Sequence, residues 1–238
     1  MRQLFFTCIL LLIFSCHSNE KNGKSVSTES KAVSIDTILG DINKPISFEN
    51  PNNIIAHTKI TKDTVYYLKH FYRQFLNQKD SVSEVSFFKW FPDSFERFNS
   101  LYGYDNVLGE KPLYKEGINH ILDYSKLRKY VSDIDYYNKL INISIGGHWE
   151  ADNISMLQEV LSNNFQSESA LFLELLQKKS KPEIESFWLF FFDGPHPDDP
   201  KTTHIYNEVL NSLESLNKGM VPVVKRAYAK VKKDWKEH

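Results

Sequence analysis

Cysteine is almost absent from this chain of 238 residues, which contains only Cys8 and Cys16. Because both lie within the first 16 residues, the rest of the chain has no thiol. A disulfide, a thiolate nucleophile and a cysteine-based zinc site are therefore excluded for that part of the chain. A domain without such cross-links depends on its hydrophobic core for stability, and the length is sufficient to form one.

The chain also lacks a net charge large enough to select a partner. Its 29 Lys and Arg residues nearly balance 30 Asp and Glu residues, which gives a net charge of -1. Arginine is scarce, with 5 residues against 24 lysines, so few side chains offer the planar, two-pronged contact that guanine and phosphate recognition favours. We therefore predict no nucleic-acid partner.

The common local signatures of enzymes are missing as well. The sequence contains no G-x-S-x-G elbow, no H-E-x-x-H zinc motif, no Walker-type phosphate loop and no G-x-G-x-x-G dinucleotide motif. These absences disfavour serine hydrolases, zinc hydrolases and nucleotide-dependent enzymes. We predict no cofactor and no metal, and the sequence favours a protein that is not an enzyme.

The chain begins with a pattern typical of an export signal. Arg2 supplies a positive charge, and the 11 residues Leu4–Phe14 carry none. At about 1.5 Å per residue, this run is too short for a bilayer core of about 30 Å, as expected for the hydrophobic part of a signal peptide. The run ends next to the small residue Ser15, which precedes Cys16.

The tetrapeptide Ile13-Phe14-Ser15-Cys16 resembles the lipobox of bacterial lipoproteins. The resemblance implies that residues 1–15 are a cleaved signal peptide and that Cys16 is acylated and becomes the new N-terminus. Several acyl chains on Cys16 would hold the protein durably on a membrane. The implied location is the bacterial cell envelope, with an ordinary cleaved signal or an uncleaved anchor as the alternatives.

Residues 16–60 differ in composition from the rest of the chain. They are polar, low in aromatic residues and free of a helical or strand period over most of their length, and prolines and asparagines interrupt the last part. This composition predicts a flexible tether that follows the lipidated Cys16. The remaining residues, 61–238, are predicted to form the folded domain.

Apolar residues recur at helical spacing through most of residues 61–238. The pattern predicts an all-α single domain of about eight or nine short helices, arranged as an irregular bundle or, alternatively, as a solenoid. Ser180 and Glu183 form a capping box at the start of one helix. The residues that follow, Phe187–Phe192, are apolar on every side, which predicts that this helix is central and enclosed.

Two further predictions concern helix boundaries. Between residues 113 and 145 the apolar pattern changes phase twice, which predicts three short helices in succession. The middle one contains Leu127, Tyr130 and Val131. Asp152 is predicted to cap the helix that begins after it.

Three phrases of the folded part are distinctive: PDSFERFNSLYGYD, GGHWEADN and ESFWLFFFDGPHP. With them, the body of the chain resembles uncharacterised helical proteins of bacteria that occur as lipoproteins or as small soluble domains. The resemblance points to no named family and implies no activity.

The first candidate site is the proline-rich loop that follows the predicted central helix. It places Asp193, His196, Asp198 and Asp199 within a few residues of one another. Proline, glycine and aspartate are common in tight turns, so a structural turn is the leading interpretation. A partner-binding loop and a carboxylate-based metal or hydrolytic site are the alternatives.

The second candidate site is the loop at residues 146–152. His148 with Glu150 could form an acid–base pair, and Trp149 is an aromatic side chain of the kind that dominates interfaces. The simpler interpretation is that two glycines end one helix, Trp149 seals the core and Asp152 caps the next helix.

These observations predict a membrane-tethered lipoprotein that binds a protein partner, as an immunity protein or a surface-interaction protein does. The candidate binding residues are Trp149, Asp152, Asp193, His196, Asp198 and Asp199. The alternative is a metal-dependent or His/Asp hydrolase that uses residues 146–152 and 193–199, with His148, Glu150 and His196 as catalytic candidates. This alternative requires the two loops to converge around one pocket.

Overall fold

A computed structural model describes residues 62–194 and 196–236. Of these residues 74% are helical, which confirms the predicted all-α single domain. The ten α-helices of the described part are α1 (Lys62–Gln78), α2 (Ser81–Trp90), α3 (Phe95–Tyr102), α4 (Gly117–Tyr124), α5 (Asp133–Ser144), α6 (Asn153–Ser167), α7 (Ser169–Leu176), α8 (Lys181–Phe192), α9 (Pro200–Leu216) and α10 (Val221–Lys236). The predicted signal peptide, Cys16 and the predicted tether lie outside the described residues.

A small hairpin between α3 and α4 was not predicted. Strand β1 (Tyr104–Asp105) pairs antiparallel with β2 (Gly109–Glu110), so that Tyr104 faces Glu110 and Asp105 faces Gly109. A short 3-10 helix, Tyr114–Glu116, then leads into α4. Two strands of two residues carry too little apolar pattern to be recognised in sequence.

Helix α2 was also missed, because its buried face is partly polar. Ser83 and Glu84 are buried, whereas Val82 is 70% exposed, so the apolar residues do not follow a helical period. The helix begins at a reciprocal capping box in which the Asp80 carboxylate accepts the Ser83 N–H at 2.8 Å. The buried Glu84 carboxylate accepts the backbone N–H of Tyr130 at 2.7 Å, which ties α2 to the loop before α5.

The predicted middle helix around Leu127 is wrong. Residues 125–132 form turns, and Leu127 and Val131 enter the core from an irregular segment. Side chains four residues apart share a face in a helix, but separate turns can bury the same two side chains. The following α5 is one continuous helix from Asp133 to Ser144.

Helix α8 is the central helix, as predicted. The Glu183 carboxylate accepts hydrogen bonds from the backbone N–H and the hydroxyl of Ser180, at 2.8 and 2.6 Å. The buried residues of α8 are Phe187, Trp188, Phe190, Phe191 and Phe192. Helices α5, α6 and α10 pack against it, so an enclosed helix lies at the centre of an aromatic core.

The main contacts between helices join elements no more than three helices apart along the chain. Helix α1 packs against α2, α4 against α6, α5 against α7, and α8 against α10. The helices range from 8 to 17 residues in length and follow no fixed repeat. An irregular bundle of near-neighbour helices therefore describes the fold.

Candidate functional site

The two loops singled out in the sequence meet in the structure. The Asp193 carboxylate accepts the backbone N–H of Trp149 at 2.6 Å. Gln158, on α6, donates from its amide to the carbonyl oxygens of Phe190 and Asp193, at 2.6 and 2.8 Å. These bonds satisfy backbone groups at the C-terminal end of α8 and hold residue 193 beside residue 149.

One groove, here called the loop groove, is bordered by parts of both loops. It has a volume of about 460 Å³ and is formed by one face of α6, the end of α8 and the start of α9. Trp149 lies at one side, and His196 and Asp199 line the segment before α9. Phe191 and Phe192 contribute apolar surface from the central helix, so the groove combines aromatic and polar walls.

Trp149 does not seal the core, contrary to the simpler interpretation of its loop. Its side chain is partly buried but is not among the residues that pack against the core cluster. It lines the loop groove instead, while its backbone is fixed by Asp193. A positioned aromatic side chain outside the core is a typical anchor for a binding partner.

The carboxylates of the two loops make structural bonds. Asp199 caps α9 by accepting the Lys201 N–H at 2.6 Å. Asp198 pairs with Lys232 of α10, and the hydrogen bond from that ammonium lowers the pKa of Asp198. Both interactions fit the predicted structural turn, since Asp side chains commonly satisfy nearby donors in turns.

Asp152 does not cap α6 through its side chain, so that prediction is wrong. Its backbone adopts φ +61° before the helix, and its carboxylate accepts the hydroxyl of Tyr114. This hydrogen bond raises the pKa of Tyr114 to about 12. Tyr114 lies 38 residues from Asp152 in sequence, so no local sequence pattern could show that Asp152 binds Tyr114 instead of the helix end.

His148 and Glu150 form the pair proposed from their spacing, with 2.9 Å between Nε2 and Oε1. Asn99 also donates to the Glu150 carboxylate, at 3.4 Å. However, His148 lines a second cleft, of about 580 Å³, beside Phe95 and Asn99. His196 lies in the loop groove and packs edge-on against the Trp235 ring at 5.5 Å, so the catalytic candidates occupy two different clefts.

No group of three or more His, Cys, Asp or Glu side chains within residues 62–194 and 196–236 is arranged to hold a metal ion. The same residues contain no helix that is both long and apolar enough to cross a membrane.

The polar wall of the loop groove was not predicted from the sequence. Glu159, Ser162 and Asn163 lie on α6, and Lys201 and Thr202 lie opposite on α9. Their side chains make no hydrogen bond or ion pair with another described residue. The α6 residues lie opposite the apolar stripe of the same helix, a pattern equally typical of a face in solvent.

Comparisons with protein-family models, with curated proteins and with solved structures found no match.

Proposed function

We propose that this protein is a bacterial lipoprotein, held in the cell envelope through acylated Cys16, whose helical domain binds a protein partner in the loop groove. The tether is supported by the sequence of residues 1–16, in which an apolar run of 11 residues precedes Ser15 and Cys16. The binding role is supported by the groove itself.

The binding role is supported by a difference among the side chains of the groove: some are bonded within the protein, and others are not. Asp193 and Asp199 are engaged in bonds that shape its walls. The side chains of Trp149, Glu159 and Lys201 line the groove and make no ion pair or hydrogen bond with another described residue. A groove with fixed walls, exposed polar side chains that have no partner within the described chain, and an aromatic anchor suits recognition of another surface.

The hydrolase alternative has less support. It needs His148, Glu150 and His196 around one reacting group, whereas His148 and His196 line different clefts. The His148–Glu150 pair alone supplies a proton donor and acceptor. In the described part of the chain, no serine or threonine hydroxyl is hydrogen-bonded to His148, and no group of three or more His, Cys, Asp or Glu side chains is arranged to hold a metal ion.

Site-specific photo-crosslinking tests the binding role. The full chain is produced in bacterial cells with p-benzoylphenylalanine in place of Ser162, in the groove, or in place of Ser215, which is exposed near the end of α9. We expect a discrete protein adduct from position 162 only, and a lower yield when Trp149→Ala is added. The Trp149→Ala change leaves the unfolding midpoint near its native value, because Trp149 lies outside the core. No adduct from position 162, or the same adduct from both positions, would refute the binding role.

Labelling with an alkyne fatty acid tests the tether, and the chain offers a matched control. We expect label on the native chain and on Cys8→Ala, and none on Cys16→Ala. Intact mass then shows whether cleavage precedes residue 16. A native protein with an unacylated, uncleaved N-terminus would overturn the anchor but not the binding role.

A further inference from the structure

The tip of the hairpin between α3 and α4 carries an apolar pair that no other part of the described chain covers. Val107 is 90% exposed and Leu108 is 79% exposed, and they are the two most exposed large hydrophobic side chains of the described residues. Isolated exposed apolar residues are common. Two adjacent exposed apolar residues at the end of a projecting turn form a surface whose transfer out of water is favourable.

The turn is held in a conformation that keeps this pair exposed. One oxygen of the Asp105 carboxylate, Oδ1, accepts the backbone N–H groups of both Val107 and Leu108, at 2.8 Å each. Its other oxygen lies 3.3 Å from the Lys111 ammonium. Gly109 follows with φ +79°, a conformation that favours glycine. The tip is therefore preorganised, and little conformational entropy is lost when it binds.

The base of the hairpin has the composition of a membrane interface. Tyr104 is 52% exposed, and its ring lies 5.8 Å from that of Tyr114. Lys111 and Lys115 flank the strands and pair with Asp105 and Glu110. The Asp105–Lys111 pair lies next to the tip, and Tyr104 lies one position further from it. Tyrosine rings and lysine side chains beside an apolar tip are residue types that occur at the headgroup level of a membrane.

We infer that the hairpin tip, Val107 and Leu108, inserts into the lipid bilayer to which the protein is tethered. The inference rests on the proposed tether. The 46 residues from Cys16 to Thr61 can span at most about 150 Å, so the domain stays within reach of the membrane. Because the domain is tethered, the tip has a high effective concentration at the membrane surface. A tip that is too small to bind from solution can then add a second membrane contact. Because its lysines are already paired, insertion does not require anionic lipid.

A fluorescent label at the tip tests the inference on the full chain. The Cys8→Ser/Cys16→Ser background leaves an introduced cysteine as the only thiol. We expect the apolar run Leu4–Phe14, which is retained in this variant, to attach the chain to vesicles without acylation. The environment-sensitive dye NBD is placed on Leu108→Cys or, as a matched control, on Val82→Cys, which replaces a 70% exposed side chain on α2.

Vesicles of phosphatidylethanolamine and phosphatidylglycerol, and vesicles of phosphatidylcholine alone, are compared with and without doxyl-labelled lipid. We expect a blue shift and quenching by doxyl lipid at position 108 in both vesicles, and neither at position 82. An unquenched dye at position 108 refutes the inference. A blue shift without quenching would show that protein, either residues 1–61 or a second copy, covers the tip. Equal quenching at both positions would indicate unspecific adsorption and also refute the inference. Failure of the acyl anchor is seen separately in the fatty-acid labelling of Cys16.

Discussion

Acidification from about pH 7.5 to about pH 5 is expected to destabilise the domain through one side chain, His120. His120 lies on α4, is 1% exposed, and has its Nδ1 2.9 Å from the hydroxyl oxygen of Tyr102. The ring of Tyr72 packs over it, with 4.1 Å between ring centroids. Burial lowers the pKa of His120 to about 4, although the negative charges of Glu116 and Asp123 nearby act in the opposite direction.

The sign and size of the effect follow from the difference between the folded and unfolded states. The pKa of His120 falls from 6.5 to about 4 on folding, so the unfolded chain binds the proton more readily. The stabilising contribution is complete above about pH 6.5 and is lost as the pH falls toward 4. One pKa unit corresponds to about 1.4 kcal/mol, and at pH 5 the free energy of unfolding should be lower by about 2 kcal/mol.

Urea unfolding followed by circular dichroism at the two pH values measures this loss. In His120→Gln, the loss on acidification should be smaller than in the native chain by about 2 kcal/mol. His70→Gln removes an exposed imidazole from α1 and serves as the control for substitution itself. The reasoning is refuted if the native chain and His120→Gln lose equal stability between the two pH values.

Three further predictions concern stability. Lys139 caps the C-terminal end of α2 by donating to three backbone carbonyls at 2.6, 3.3 and 2.8 Å. Lys139→Met should lower the free energy of unfolding in urea by about 2–4 kcal/mol, because those acceptors lose their donor. An unchanged unfolding midpoint would contradict this role. A Cβ on Gly147 would lie 2.5 Å from the Phe190 ring, so Gly147→Ala should lower stability by about 1–3 kcal/mol through overpacking, and a rise in melting temperature would contradict that geometry. Asp193→Ala should lower the free energy of unfolding by about 1.5–3 kcal/mol, because it removes the charge-assisted hydrogen bond from the Trp149 N–H. It should also lower the crosslink yield at position 162. A crosslink yield equal to that of the native chain would show that the loop contact does not shape the groove.

The helices that were predicted have strong local signals. The capping box at Ser180 and the apolar run Phe187–Phe192 depend on residues close in sequence, and the structure has both. The predictions around Glu84 and Leu127 were wrong for different reasons. A buried carboxylate interrupts the apolar period of α2, and a turn places two core residues at a spacing that a helix would also give.

The candidate loops could be identified from composition, but the roles of their side chains could not. Asp152 was predicted to cap a helix and accepts the hydroxyl of Tyr114 instead. Trp149 was given two interpretations, a core residue or an interface anchor, and it lines a groove. In both cases the deciding neighbour comes from a distant part of the chain.

Local sequence patterns thus determined the helical class of this protein and the position of its central helix, because apolar periodicity and helix capping depend on residues a few positions apart. Tertiary packing determined which polar helix faces border a groove and which carboxylates are bonded to other parts of the chain. Those outcomes depend on pairs separated by long stretches of chain, such as Trp149 with Asp193, 44 residues apart, and a distance in space between such residues leaves no trace in their spacing along the sequence.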